Sequence, residues 1–166
     1  MRRRWNEING YLAGRCAFLI GSGPSLEGFD FSRLDNEFTI AINHSIEHYP
    51  QAKACLFGDK IFLNKTTFDL SKFDGLIFAS EKTDYCARDE RPNVYTFMDK
   101  RDEPGINAKC GLYHPTSSGL LALSLAIIMK ARRVFLLGYD YRHLHGQRHF
   151  YGDMYEHHLR YPEDRV

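Results

Sequence analysis

The segment Cys16-Ala17-Phe18-Leu19-Ile20 puts no charged side chain on either of its alternating faces, and it stops at Gly21-Ser22-Gly23-Pro24-Ser25. A strand apolar on both sides has to be covered on both sides, the condition of a strand inside a parallel sheet flanked by two layers. The pattern returns at residues 38–42, closed by Asn43, and at Ala54–Phe57, closed by Gly58-Asp59. Residues 75–79, 93–97 and 133–137 are further strand candidates, set off by charged residues, Pro or Gly. Between Thr116 and Ala131 the period changes. Thr116 or Ser117 can cap a helix whose body, residues 120–129, is mostly Leu, Ala and Ile with almost no polar face, so it must be largely buried. Helix and following strand make a crossover unit, right-handed if parallel. The expectation is an α/β chain built on an open, doubly wound, mostly parallel, Rossmann-like sheet.

With 166 residues, 43% of them hydrophobic, the chain suits one domain, 1–166, around a single core. Its 22 basic and 21 acidic side chains nearly cancel, so total charge gives no nucleic-acid or membrane signal. Arg2-Arg3-Arg4 reads as a solvated terminus. Cys16, Cys55, Cys86 and Cys110 form no CxxC pair and read as buried free thiols in a reducing compartment. No apolar stretch reaches the ~18 residues that cross a bilayer, and the first residues lack the apolar core of a signal peptide. The expected location is cytoplasmic.

In such a sheet ligands bind outside the carboxyl ends of the strands. Gly21-Ser22-Gly23-Pro24-Ser25 lies at one such end, where glycines let backbone amides approach a phosphate or ribose. The third glycine of a dinucleotide fingerprint and the Lys of a P-loop are both missing. Asn43 could donate to and accept from a base or sugar hydroxyl, with turn formation as the plain alternative. Asp59 suits a ribose hydroxyl, a divalent ion or a proton transfer, with helix capping as its alternative. Asp140, after Leu137-Gly138-Tyr139, is a third polar residue at a strand end. Thr116-Ser117-Ser118-Gly119 opens the buried helix, where unbonded N–H groups, hydroxyls and the helix dipole favour an anion. The tail carries His143, His145, His149, His157 and His158 with Tyr141, Tyr151, Tyr155, Arg148 and Asp153. It lacks the ligand spacing of a known zinc site, so no metal is assigned. Residues 142–166 read instead as an active-site flap or arm, in which His149 or Asp153 is a general base while Arg148 and tyrosines such as Tyr151 hold phosphate.

The order of these motifs, Leu19-Ile20-Gly21-Ser22-Gly23-Pro24-Ser25-Leu26, Ala41-Ile42-Asn43, Thr116-Ser117-Ser118-Gly119 and Phe135-Leu136-Leu137-Gly138-Tyr139-Asp140-Tyr141, resembles the bacterial family 42 sialyltransferases. A related group includes the motility-associated glycosyltransferases and the 6-hydroxymethylpterin diphosphokinase-like proteins. The likeness spans about residues 16–153. It implies a sialyltransferase-type sheet, a cytidine nucleotide held by Gly21, Ser22, Gly23 and Asn43, and a donor beside Ser117, Ser118 and Gly119. Two positions depart from the family: Ser22 stands where its turn carries Asn, and Asp153 stands at the place of its late catalytic His, with His149 just before.

Three functions follow as expectations. A glycosyltransferase would move a sugar from a nucleotide sugar, CMP-linked by the resemblance, to a hydroxyl of a small molecule or glycan, with no cofactor required. A diphosphokinase would hold ATP and magnesium through Asp59 and Asp140 and act on a small alcohol such as a hydroxymethylpterin. A non-catalytic nucleotide-binding module would keep the sheet without turnover. Homo-oligomerisation is open.

Overall fold

The computed structural model describes residues 7–97, 99–100, 112–113, 117–142 and 149–152. Strands β1 (Cys16–Ile20), β2 (Thr39–Ile42), β3 (Ala54–Phe57), β4 (Leu76–Ser80), β5 (Val94–Phe97) and β6 (Arg133–Leu137) form one open six-stranded sheet in the order β5-β4-β3-β2-β1-β6. Every neighbouring pair is parallel, so the sheet is wholly rather than mostly parallel. The result is a Rossmann-like α/β fold. A separate two-residue parallel ladder joins Asp99–Lys100 to Leu112–Tyr113.

The two-sided apolar strands are used as their pattern requires. Leu19, Ile40, Leu56, Phe78 and Phe97 face one buried layer, while Ile20, Ala41, Cys55 and Ile77, their alternates, face the other. Burial raises the Cys55 thiol far above its ordinary range, leaving it an inert core group. Cys16 is half-buried and free, whereas the Cys86 side chain and Cys110 lie outside the described residues.

One layer is closed by short pieces: α1 (Ser45–His48), α2 (Lys60–Lys65) and single turns of tighter helix. A further turn, α3 (Tyr85–Arg88), lies between β4 and β5. The other layer holds α4 (Ser118–Ile128), the one long helix among the described residues, with Leu121, Ala122, Leu125 and Ala126 against the sheet. It ends where Lys130 turns left-handed at φ 57°, and the amide of Ala131 reaches back to the carbonyl of Ala126 at 3.0 Å. Gly10 and Leu12 then donate to the carbonyls of Ile128 and Met129, so the segment ahead of β1 satisfies orphan acceptors at the helix end.

Arg91 ties together the turns before β4 and β5. Its guanidinium donates to the carbonyls of Leu70, Ser71 and Phe73 and to the Asp89 carboxylate at 2.7 Å. That bond holds the Asp89 carboxyl down at about 2 despite partial burial.

Strand order decides where a ligand can sit. The chain winds from β1 to β5 in one direction, then returns to place β6 on the other side of β1, so the loops leaving β1 and β6 flank a reversal of strand order. In open α/β sheets that reversal opens the binding crevice at the carboxyl ends.

Candidate active site

The turn after β1 is fastened to the loop after β6. Gly21 donates to the Leu137 carbonyl at 2.8 Å and Gly23 to the Gly138 carbonyl at 2.8 Å. The glycines were expected to let backbone amides approach a ligand closely. Neither has a positive φ; what forbids a side chain is the neighbouring loop. A Cβ on Gly21 would stand 2.6 Å from the Gly138 carbonyl oxygen, and one on Gly23 would stand 2.5 Å from Asp140 Oδ2. The left-handed residue is Gly138, at φ 66°. Pro24 occupies the first position of a short helical turn, where a missing donor costs nothing.

Asp140 closes the same junction. Its carboxylate accepts from the Ser25 amide at 2.7 Å and the Ser25 hydroxyl at 2.6 Å. Both oxygens are therefore engaged, and Ser25 is committed with them. Asp59 behaves as its plain alternative: it caps α2, accepting from the Phe62 amide at 2.8 Å. Both carboxylates thus carry structural bonds, Asp59 through Oδ1 and Asp140 through both oxygens. Among the described residues no group of three or more His, Cys, Asp or Glu is placed to hold a metal.

Asn43 is different. It ends β2 in the left-handed region at φ 52°, a conformation Asn tolerates better than most side chains, and its own amide stays bonded to the Leu56 carbonyl of β3. The turn aims its side chain at the start of α4, where Nδ2 donates to the Ser118 hydroxyl at 3.3 Å. Its Oδ1 is buried and has no hydrogen-bond partner among the described residues. Ser117 caps α4 by accepting from the Gly119 amide at 3.2 Å, and Ser118, at the first helical position, has no intrahelical acceptor for its own amide. Tyr139 donates to the Gly119 carbonyl at 3.0 Å, and burial raises its hydroxyl above the phenolic range, keeping it a donor. The Tyr141 hydroxyl lies 3.5 Å from that of Ser117, on a backbone held at φ 49°. A Cβ on Gly119 would be 2.9 Å from the Tyr139 ring, so glycine is required there by the two tyrosines.

Of the expected flap, residues 149–152 are described, and they dock on the glycine turn. His149 Nδ1 is 2.9 Å from the Ser22 hydroxyl, and the Phe150 amide donates to the Ser22 carbonyl at 3.0 Å. Tyr151 stacks on His149 and on His48, with ring centroids 5.2 and 5.1 Å apart. Arg148, Asp153 and Thr116 lie outside the described residues, as do His143, His145, Tyr155, His157 and His158.

Sequence reasoning overlooked three residues here. Ser45 is buried and donates to the Gly21 carbonyl at 2.6 Å, locking the turn from below. His44 and His48 follow Asn43 at the two ends of α1, and their four-residue spacing was the available signal. His44 Nδ1 lies 2.8 Å from Glu47 Oε1; burial pushes the Glu47 carboxyl up, but bonds from His44, Thr66 and Thr67 outweigh it and hold the group low.

Searches against protein-family models, curated proteins and solved structures return no significant match to this chain. The site therefore rests on its own geometry. A concavity of about 800 Å³ does open elsewhere, between Arg15, Phe38, Lys53, Phe68, Lys72 and Gly75. It lies at the amino ends of β2, β3 and β4, the edge where this sheet type offers neither helix N-termini nor strand-end loops. No helix among the described residues is long and apolar enough to cross a membrane.

Proposed function

We propose that the carboxyl edge of the sheet binds a nucleotide-activated donor and that the protein is a glycosyltransferase, moving a sugar from a nucleotide sugar to a hydroxyl acceptor. The observation that carries this reading is Asn43. A buried carbonyl oxygen with no donor costs ~1–3 kcal/mol, and a base amino group or sugar hydroxyl would recover it. Beside it, the Ser118 hydroxyl and the first turn of α4 offer donors and positive potential to a phosphate.

In the proposed step the acceptor oxygen attacks the anomeric carbon as the bond from that carbon to the phosphate oxygen breaks. The acceptor proton passes to a base, for which His149 is the described candidate and Asp153 the one the sialyltransferase resemblance supplies. Ser22 holds the His149 ring through Nδ1, the orientation role a general base needs from a partner. Ser117, Ser118 and Tyr141 stand where the departing phosphate gathers charge. The diphosphokinase alternative needs Asp59 and Asp140 for magnesium, and their bonds to Phe62 and Ser25 weigh against that fit. A non-catalytic nucleotide-binding module shares the site and differs only in turnover.

The test is a thermal-shift panel of cytidine, uridine, guanosine and adenosine nucleotides and their sugar conjugates. A ligand at 100 times its Kd adds ~2.7 kcal/mol, which raises Tm by about 5–10 °C in a chain of this size. For the ligand that binds, His149→Ala should lower sugar transfer at least tenfold while donor affinity stays within about twofold. No shift across the panel rejects the site; binding without transfer in the native chain leaves the non-catalytic reading.

A further inference from the structure

Tyr151 belongs to the part of the tail expected to hold phosphate, and a phosphate contact would be made by its hydroxyl. Within the glycosyltransferase reading, on which this rests, we infer that Tyr151 is instead a positioning residue for the base His149, acting through its ring with His48 behind it. The rings of Tyr151 and His149 are parallel within 10°, with centroids 5.2 Å apart. His48 lies on the same tyrosine, parallel within 6° at 5.1 Å, and His44 meets it edge-on at 6.2 Å and 63°.

A hydrogen bond at one ring nitrogen does not by itself orient an imidazole. With Nδ1 held 2.9 Å from the Ser22 hydroxyl, the ring can still pivot about that contact and carry Nε2 through an arc. A parallel aromatic face removes the pivot, because tilting one ring breaks the stack. Point and plane together fix the direction of Nε2. A group that takes a proton in a transfer step has to stay within ~0.5 Å and ~10–20° of its working geometry, held by side chains whose own rotamers are locked.

The lock on Tyr151 comes from α1. His44 is buried and lies 2.8 Å from Glu47, and His48 follows it by one helical turn. Phe150, between the two stacked residues in sequence, lies edge-on to His48 at 4.9 Å and against Phe31 at 6.1 Å. Phe31 in turn stacks at 5.5 Å on Tyr49, the buried residue that closes α1. The same turn of helix starts two residues after Asn43. One element thus carries both the acceptor proposed to meet the donor and the rings that hold the base, so the spacing between donor and base is set within α1.

The test uses the full chain and the nucleotide sugar that stabilises it. Tyr151→Leu should lower kcat for sugar transfer about tenfold or more while KM for the donor stays within about twofold. Tyr151→Phe keeps the ring without the hydroxyl and should retain about half or more of the native kcat. At the exposed position 48, His48→Ala should lower kcat about three- to tenfold, and His48→Phe should restore it. Because the ring acts through His149, Tyr151→Leu should cost nothing further in a His149→Ala background. A native chain that transfers no sugar overturns the glycosyltransferase reading and this inference with it. Where the native chain does transfer, an unchanged kcat in Tyr151→Leu, an equal loss in Tyr151→Phe, or a further loss in the His149→Ala background overturns the inference alone. Should Tyr151→Leu lose its fold by circular dichroism, the pair at position 48 decides: an unchanged kcat in His48→Ala, or no recovery in His48→Phe, overturns it.

Discussion

Replacing Gly23 by alanine tests the junction on which the whole site is built. Gly23 sits at φ −63° and ψ 147°, which alanine adopts freely, so the cost is steric and not conformational. The new Cβ would lie 2.5 Å from Asp140 Oδ2 and 2.7 Å from the Gly138 carbonyl oxygen. Neither neighbour yields easily. The carbonyl is bonded to the Gly23 amide at 2.8 Å, and the carboxylate is held by Ser25 at 2.7 and 2.6 Å. Rotating the carboxylate away gives up a charged hydrogen bond, ~1.5–3 kcal/mol, and moving the β6 loop instead costs ~1–3 kcal/mol as overpacking. The expected loss is about 2–4 kcal/mol, read as a lower urea midpoint at unchanged slope and a Tm lower by about 5–15 °C. Because the carboxylate is half of the clash, the same substitution in an Asp140→Ala background should cost ~1–2 kcal/mol less. A loss under ~0.5 kcal/mol, or the same loss in both backgrounds, would refute the reasoning.

Two further outcomes follow from the geometry. Asn43→Gly keeps the left-handed turn, removes the unpartnered acceptor and gives up one bond to Ser118, so the free protein should change in stability by no more than ~1 kcal/mol while affinity for the stabilising nucleotide falls about tenfold by calorimetry; unchanged affinity would remove Asn43 from the site. Asp89 has a folded pKa of about 2 against an ordinary 3.8, so its contribution, about 2 kcal/mol, is present above the ordinary value and is lost as pH falls through the folded one. Asp89→Asn should lower stability at neutral pH by about that amount and flatten the acid limb of a urea-midpoint profile, and an unchanged limb would rule the pair out as its cause.

The positions of the strands could be read directly from the chain because a run such as Cys16–Ile20, apolar on both faces, has few other uses. The stops were legible too: Asn43 ends β2 and opens a turn, and Ser117 caps α4, since both depend on residues close in sequence. The role of Asp59 was only half legible. Its cap on Phe62 is local, but nothing in the sequence ranks a cap above a ligand contact.

What the sequence alone determined, then, is a parallel α/β sheet with polar residues collected at its carboxyl edge, because side-chain period and capping act over a few residues. Which of those polar groups are consumed by the fold was decided only by tertiary structure. Asp140 meets Ser25 across 115 positions, Asn43 meets Ser118 across 75, and His149 meets Ser22 across 127. Asp140 reaches Ser25 because β6 lies beside β1, and Ser118 reaches Asn43 because α4 packs across β1 and β2, placements set by the packing of whole layers rather than by any local pattern. The fold thus bonds to Ser25 one carboxylate that the sequence offered as a ligand group and leaves Asn43 Oδ1, an acceptor that the sequence could not distinguish from a turn, without a partner among the described residues.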